Sequence, residues 1–125
     1  MRILFALPGL HRVNRGAEIA FESVAAELAR RPDCEVTLIG SGQAYTEQPY
    51  RFVHARCRSR EHFESWPRGP VFRNQYVYEE LTFVPGLWSA FDPDSFDATV
   101  TCSYPFVNWA LRAKRRGGRP VHVFV

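Results

Sequence analysis

The segment Pro8-Gly9-Leu10-His11-Arg12-Val13-Asn14-Arg15-Gly16-Ala17-Glu18 brings together two glycines, two arginines, a histidine and a carboxylate. That mixture suits anion binding, so two phosphate motifs can be set against it. The dinucleotide fingerprint G-x-G-x-x-G fails, because Gly9 and Gly16 stand seven apart with no glycine between them. The P-loop G-x-x-x-x-G-K-[ST] fails as well, because Ala17 and Glu18 follow Gly16. Gly16 still precedes a helical pattern, where unpaired N–H groups and the helix dipole favour an anion. Without a side chain it admits a ligand to the backbone, and Arg12 and Arg15 add positive charge. The competing explanation is that glycine merely permits a tight turn into the helix.

Other residues carry weaker signals. His11 shares the loop and is a candidate contact for an acceptor hydroxyl, although a loop histidine is more often solvated. Ser103 and Tyr104 follow a strand and can hydrogen-bond a sugar, or cap a helix and pack. His54, His62 and His122 are scattered, so no metal set is expected. Arg73 and Glu80 fall within an otherwise apolar helix half. They line a groove or, as the wheel favours, sit at its edge with their heads in water. Arg112, Lys114, Arg115, Arg116 and Arg119 form a basic cluster, read as a solvated helix end or as a surface for anionic lipid.

The elements that must position these residues read as alternating strands and helices. Residues 2–8 are nearly all apolar, as in a strand buried on both faces. A helix is expected from about Ala17 to Arg31, with Ala17, Phe21, Val24 and Leu28 on its buried face, Asn14 as its cap and Pro32 as its stop. Residues 35–39 form the second strand, closed by Gly40-Ser41-Gly42, and residues 51–54 the third. Residues 56–68 read as a solvated loop. From Phe72 a long helix follows, with Phe72, Tyr76, Val77, Leu81, Phe83, Val84, Leu87 and Trp88 on its apolar half, kinked or divided at Pro85-Gly86. Residues 98–102 form a fourth strand. Pro105 opens a helix with Phe106, Trp109, Ala110 and Ala113 as its buried stripe, ended by Gly117-Gly118. Pro120 to Val125 begins a fifth strand. The expected fold is a Rossmann-like, doubly wound α/β domain over residues 1–125, sheet order 3-2-1-4-5, incomplete at its C-terminus. Ligands then bind beyond the carboxyl ends of the strands, at residues 9–16, 40–42 and 102–104.

At 125 residues the chain is one domain's worth. Its hydrophobic content of 46% excludes a disordered segment. No apolar run approaches the ~20 residues of a transmembrane helix. With 16 Lys+Arg against 13 Asp+Glu, the excess positive charge is too small to point to nucleic acid. Cys34, Cys57 and Cys102 are odd in number and widely spaced, which suggests a reduced, cytoplasmic setting.

Arg15-Gly16-Ala17-Glu18, then Leu28-Ala29, then Glu35-Val36-Thr37-Leu38 resemble the start of GT-B glycosyltransferases of the family 4 kind. Those chains open with a buried strand, a Gly-rich loop, "GGAE" or "GAE", a helix ending near "LA" and a strand like "HxVxVxT". Phe96-Asp97-Ala98-Thr99-Val100 resembles the family's "D-V-V" strand. The resemblance implies a retaining transferase, hexosyl-type, moving sugar from a nucleotide-sugar to a sugar or lipid-linked acceptor. It needs no bound metal and no cofactor. This chain would be the acceptor-side fragment, truncated before its C-terminal domain and inactive alone. Gly16 would offer its N–H to the donor's diphosphate, near Arg15, His11, Ser103 and Tyr104. The place implied is cytoplasmic, at the inner face of the membrane. The alternative is a non-catalytic Rossmann-like binding or interaction module.

Overall fold

The computed structural model describes residues 1–70 and 72–125. Five strands form one sheet: β1 (Arg2–Ala6), β2 (Glu35–Gly40), β3 (Arg51–His54), β4 (Ala98–Thr101) and β5 (Val121–Phe124). All four pairings are parallel and the order is β3-β2-β1-β4-β5. Three helices, α1 (Gly16–Ala29), α2 (Gln75–Ala90) and α3 (Phe106–Ala113), cover it. The architecture is Rossmann-like.

The apolar run of β1 is explained by what lies on each side. Ile3, Phe5 and Leu7 pack with Phe21 and Ala25 of α1, together with Val36 and Leu38 of β2. Leu4 and Ala6 point the other way, into Phe83 and Leu87 of α2 and Val107, Ala110 and Leu111 of α3. Successive strand residues alternate sides, so a strand between two helical layers must be apolar throughout. At the far edge α3 reaches β5 through Asn108 and His122, while Val121, Val123, Phe124 and Val125 are exposed.

Several helix faces differ from the sequence expectation. In α1 the buried residues are Glu18, Phe21 and Ala25, while Val24 is 49% exposed. Arg15, not Asn14, is the N-cap, and it makes no side-chain capping bond. In α2 the helix begins at Gln75, capped by the Asn74 side chain accepting from the Tyr76 N–H. It runs unbroken through Pro85. In α3 the buried stripe is Val107, Asn108, Ala110 and Leu111, and Trp109 is 46% exposed. Residues 56–68 are not all loop: a single 3-10 turn at Arg60–Phe63 buries Phe63.

The loop after β1 is pinned rather than free. The ring of His11 stacks between Tyr45, at 3.7 Å, and Phe52, at 4.0 Å, nearly parallel to both. His11 has φ of 62°, in the left-handed region that non-glycine residues rarely occupy. Its backbone is pressed against Gly42, where a Cβ would stand 2.1 Å from the His11 carbonyl carbon. Glycine at 42 is therefore a packing requirement of this loop.

Candidate functional site

The strand order reverses between β1 and β4, and this is where open parallel sheets bind ligands. A cavity of about 320 Å³ opens at that point. Its floor comes from Leu7 and Pro8 after β1 and from Cys102 to Tyr104 after β4. Its walls come from the start of α1 and the first two turns of α2, bringing Arg15, Ala17 and Glu18 to face Tyr76, Glu79 and Glu80, with Arg60 at the rim. A second cavity, about 380 Å³, lies at the opposite edge by Arg2, Glu35 and Arg51. It sits at the amino ends of the strands, where this architecture does not place ligands.

Three glutamates of the first cavity are buried, and each has a different environment. Glu79 is saturated. Its Oε1 accepts from Arg15 Nη1 at 2.8 Å. Its Oε2 accepts from Arg15 Nη2 at 3.2 Å, Arg12 Nη2 at 3.3 Å and the Arg60 backbone N–H at 2.6 Å. Burial alone would lower the Arg15 pKa, but pairing with Glu79, supported by Glu18 and Glu61, outweighs it and raises it.

Glu80 is 2% exposed, with its Oε1 accepting from the Val107 N–H at the start of α3. Burial pushes its pKa up to about 7, against the lowering effect of that bond and of bonds from Ser103 and Phe106. The edge position expected for Glu80 is thus corrected: its carboxyl lies inside, at the junction of α2 and α3. Arg73 is exposed, beside a neighbouring cavity that it shares with Tyr76, Tyr104 and Trp109.

Glu18 is 3% exposed. Its Oε1 lies 3.6 Å from Arg15 Nη1, while its Oε2 has no hydrogen-bond partner among the described residues. Burial raises its pKa, and its own backbone N–H and Arg15 oppose that.

Arg15, Ser103 and Tyr104 are brought together at this cavity, and Gly16 stands directly before two of its lining residues. Gly16 is exposed, and a Cβ built on it would meet no atom within 4 Å. Neither its backbone conformation nor its neighbours require glycine there. The packing explanation that holds for Gly42 does not apply to Gly16.

His11 is not among the residues lining the cavity. Its Nδ1–H donates to the Gln43 carbonyl at 2.8 Å, and its Nε2 accepts from the Tyr50 hydroxyl at 2.6 Å. Arg12 is also committed, to Ser41 Oγ at 2.7 Å and to Glu79.

No protein-family model matches the chain, and no match is found among curated proteins or solved structures.

The sequence reading missed Glu79 and undervalued Glu18 and Glu80. The one signal available was two adjacent carboxylates in a helix that must cover a sheet. Elsewhere, the basic cluster is partly structural. Lys114 Nζ donates to the carbonyls of Trp88 and Phe91 at the end of α2, and Arg116 pairs with Asp94 at 2.9 Å. Arg112 and Arg119 remain exposed. His122 lies on β5, its Nδ1 accepting from Thr99 Oγ1 at 2.9 Å and its Nε2–H donating to Asn108 Oδ1 at 2.6 Å. Burial lowers its pKa, with Arg112 and Arg115 adding to the effect. Cys34, Cys57 and Cys102 are free and half-buried. No helix among the described residues is long and apolar enough to cross a membrane.

Proposed function

We propose that the chain is the acceptor-side half of a GT-B glycosyltransferase that moves a sugar from a nucleotide-sugar to an acceptor with retention. The observation that carries this reading is Gly16. It is an exposed glycine at the N-terminus of α1, beside the switch-point cavity, with nothing among the described residues that needs it to be glycine. A diphosphate approaching that N–H meets the positive end of the helix dipole and no side chain. Arg15 is held close by, but its charge is largely spent on Glu79, so the backbone supplies most of the attraction. In such enzymes a second domain holds the nucleotide, and closure of the two brings donor and acceptor together. On this reading the 125-residue chain alone transfers no sugar. Arg112 and Arg119 are the exposed charges available for peripheral contact with an anionic membrane at its cytoplasmic face.

A binding module without catalysis is the second reading. It is favoured by the Arg12 and Arg15 contacts to Glu79, which leave little free positive charge for a diphosphate.

The test is release of nucleoside diphosphate from a panel of UDP-, GDP- and ADP-sugars by the protein as its gene encodes it, native and with Gly16→Val. The transferase reading expects turnover from at least one donor. It expects Gly16→Val to cut that turnover by about 100-fold or more, as for loss of one preorganised donor. The thermal midpoint should hardly move, because a side chain at 16 has open space. Equal turnover in both proteins would remove Gly16 from the site. Absence of release from every donor would leave the binding module.

A further inference from the structure

We propose that the cleft between α3 and β5 binds a phosphate monoester, its terminal phosphoryl group held by Asn108, Arg112, Arg115 and Tyr104. The inference goes beyond the transferase reading and stands whether or not the chain serves sugar transfer.

Two spacings build the cleft. Asn108 and Arg112 stand four residues apart on α3, one turn above the other, and Arg115 lies in the turn that follows. His122 and Phe124 are two apart on β5 and share one side of that strand. With Tyr104 these residues line a cavity of about 370 Å³, within the usual range for small-ligand pockets. Of the six, only Tyr104 also lines the switch-point cavity.

What the cleft offers is hydrogen-bond donors. Asn108 is 6% exposed, and its Oδ1 accepts from His122, which turns its amide nitrogen away from that bond. The nitrogen donates to nothing among the described residues. It is also not one of the sealed polar atoms without a partner, so it keeps surface that a ligand can touch. Arg115 Nη2 donates to the Gly118 carbonyl at 2.6 Å, which steadies the guanidinium and leaves Nη1 for a ligand. The sealed Nε of Arg115 takes no part. Arg112 is exposed, and its side chain has no partner among the described residues; the same holds for the Tyr104 hydroxyl.

Charge selects the ligand. Two guanidinium groups line the cleft and no carboxylate does. At the switch point, by contrast, Arg15 is paired with Glu79. The lowering of the His122 pKa, caused first by burial and then by Arg112 and Arg115, agrees with an uncompensated positive field. A phosphate monoester brings nearly two negative charges at neutral pH and three terminal oxygens. It thus balances both arginines and has an acceptor for each direction from which donors arrive. Guanidinium–phosphate bonds are of the stronger, charge-assisted kind. A carboxylate or a phosphodiester brings one charge and two free oxygens. The organic part of the ester has an apolar wall in Phe124 and Tyr104, which are 49% and 53% exposed and meet edge to face at 5.9 Å.

The experiment is amide-resolved NMR of the 125-residue chain titrated with phenyl phosphate, inorganic phosphate, benzoate and dimethyl phosphate. Phenyl phosphate should saturably move the Asn108 side-chain amide and the Arg112 and Phe124 backbone amides, with a dissociation constant in the millimolar range or tighter. Inorganic phosphate should move the same amides more weakly, and benzoate and dimethyl phosphate should bind at least tenfold more weakly than phenyl phosphate. Arg112→Gln should weaken phenyl phosphate about tenfold, the scale of one lost charge-assisted bond. Arg116→Gln removes the same charge from the same basic cluster, but Arg116 pairs with Asp94 outside the cleft, so affinity should hold within twofold. If Arg112→Gln loses the dispersed spectrum of the fold, Tyr104→Phe takes its place and should weaken binding several-fold. Vesicles containing phosphatidic acid then separate the sources. Displacement of phenyl phosphate by them, and not by phosphatidylglycerol vesicles, supports the site with a lipid headgroup as ligand; no displacement by either supports it with a soluble ester. The inference is overturned if phenyl phosphate leaves those amides unmoved, or if benzoate or dimethyl phosphate binds as tightly. It is also overturned if Arg116→Gln weakens binding as much as Arg112→Gln, or if whichever cleft variant folds keeps native affinity.

Discussion

Glu79→Gln is expected to lower the stability of the fold by about 3 kcal/mol, the low end of the range for breaking a buried ion pair. The substitution keeps the shape and removes the charge, so the effect is electrostatic. One carboxylate receives two bonds from Arg15, one from Arg12 and one from the Arg60 backbone. These donors come from the loop after β1 and from the 3-10 turn, so Glu79 ties two separate segments to α2. With glutamine in its place, Arg15 retains Glu18 at 3.6 Å and Arg12 retains Ser41. The side chains of Arg15 and Arg12 are 19% and 25% exposed, so water recovers part of the loss. Urea unfolding at neutral pH measures the change. A difference below about 0.5 kcal/mol, the level of an ordinary surface substitution, would mean that the network does not hold the site together.

The second large effect is a pH dependence that belongs to Glu80. Its folded pKa is pushed up to about 7 from an ordinary value of 4.5. Between those two values the folded chain holds a proton that the unfolded chain has released, so stability falls as pH rises through this window. Below about pH 4.5 both states are protonated and burial of the carboxyl costs nothing electrostatic. Above about pH 7 both are ionised and the full difference, about 3 kcal/mol, is lost. Glu80→Gln keeps an oxygen for the Val107 N–H and cannot ionise. The difference in unfolding free energy between variant and native should therefore shift in favour of the variant from pH 5 to pH 8. Taking the difference cancels the groups common to both proteins. His122 is among them; its lowered pKa acts in the opposite direction, reducing stability as pH falls. A variant curve parallel to the native one would place the Glu80 carboxyl in water.

The strands were legible because a strand between two helical layers admits few polar residues, and β1 to β5 all begin within a residue of their expected starts. The helix faces were harder to read. In α1 a face through Phe21 accommodates Val24 or Ala25 at helical spacing, and the sequence carries both. Packing with Phe5 and Leu38 selects Ala25, and two turns earlier Glu18 is buried as well. In α3 the bulk of Trp109 suggested burial, yet Leu111 and Val107 fill the space under α2. Site carboxylates were least visible, for a physical reason. A buried glutamate needs compensating partners, and those of Glu79 lie 19 to 67 residues away in sequence. A helical wheel sees only the helix. Gly16 was legible as a glycine before a helix, but its meaning depended on the empty space around it, which only coordinates supply.

The central claim is that nucleotide-sugar chemistry belongs at the carboxyl edge of the sheet, on Gly16. The most direct measurement is the perturbation of backbone amides in the 125-residue chain titrated with UDP-glucose, GDP-mannose and ADP-glucose. The account predicts shifts centred on Gly16 and Ala17 and extending to Ser103 and Tyr104. It predicts affinity weaker than micromolar, because one backbone donor supplies ~1–3 kcal/mol where micromolar binding needs ~8 kcal/mol. Shifts centred instead on Arg2, Glu35 and Arg51 at the opposite edge, or none at any amide, would contradict it.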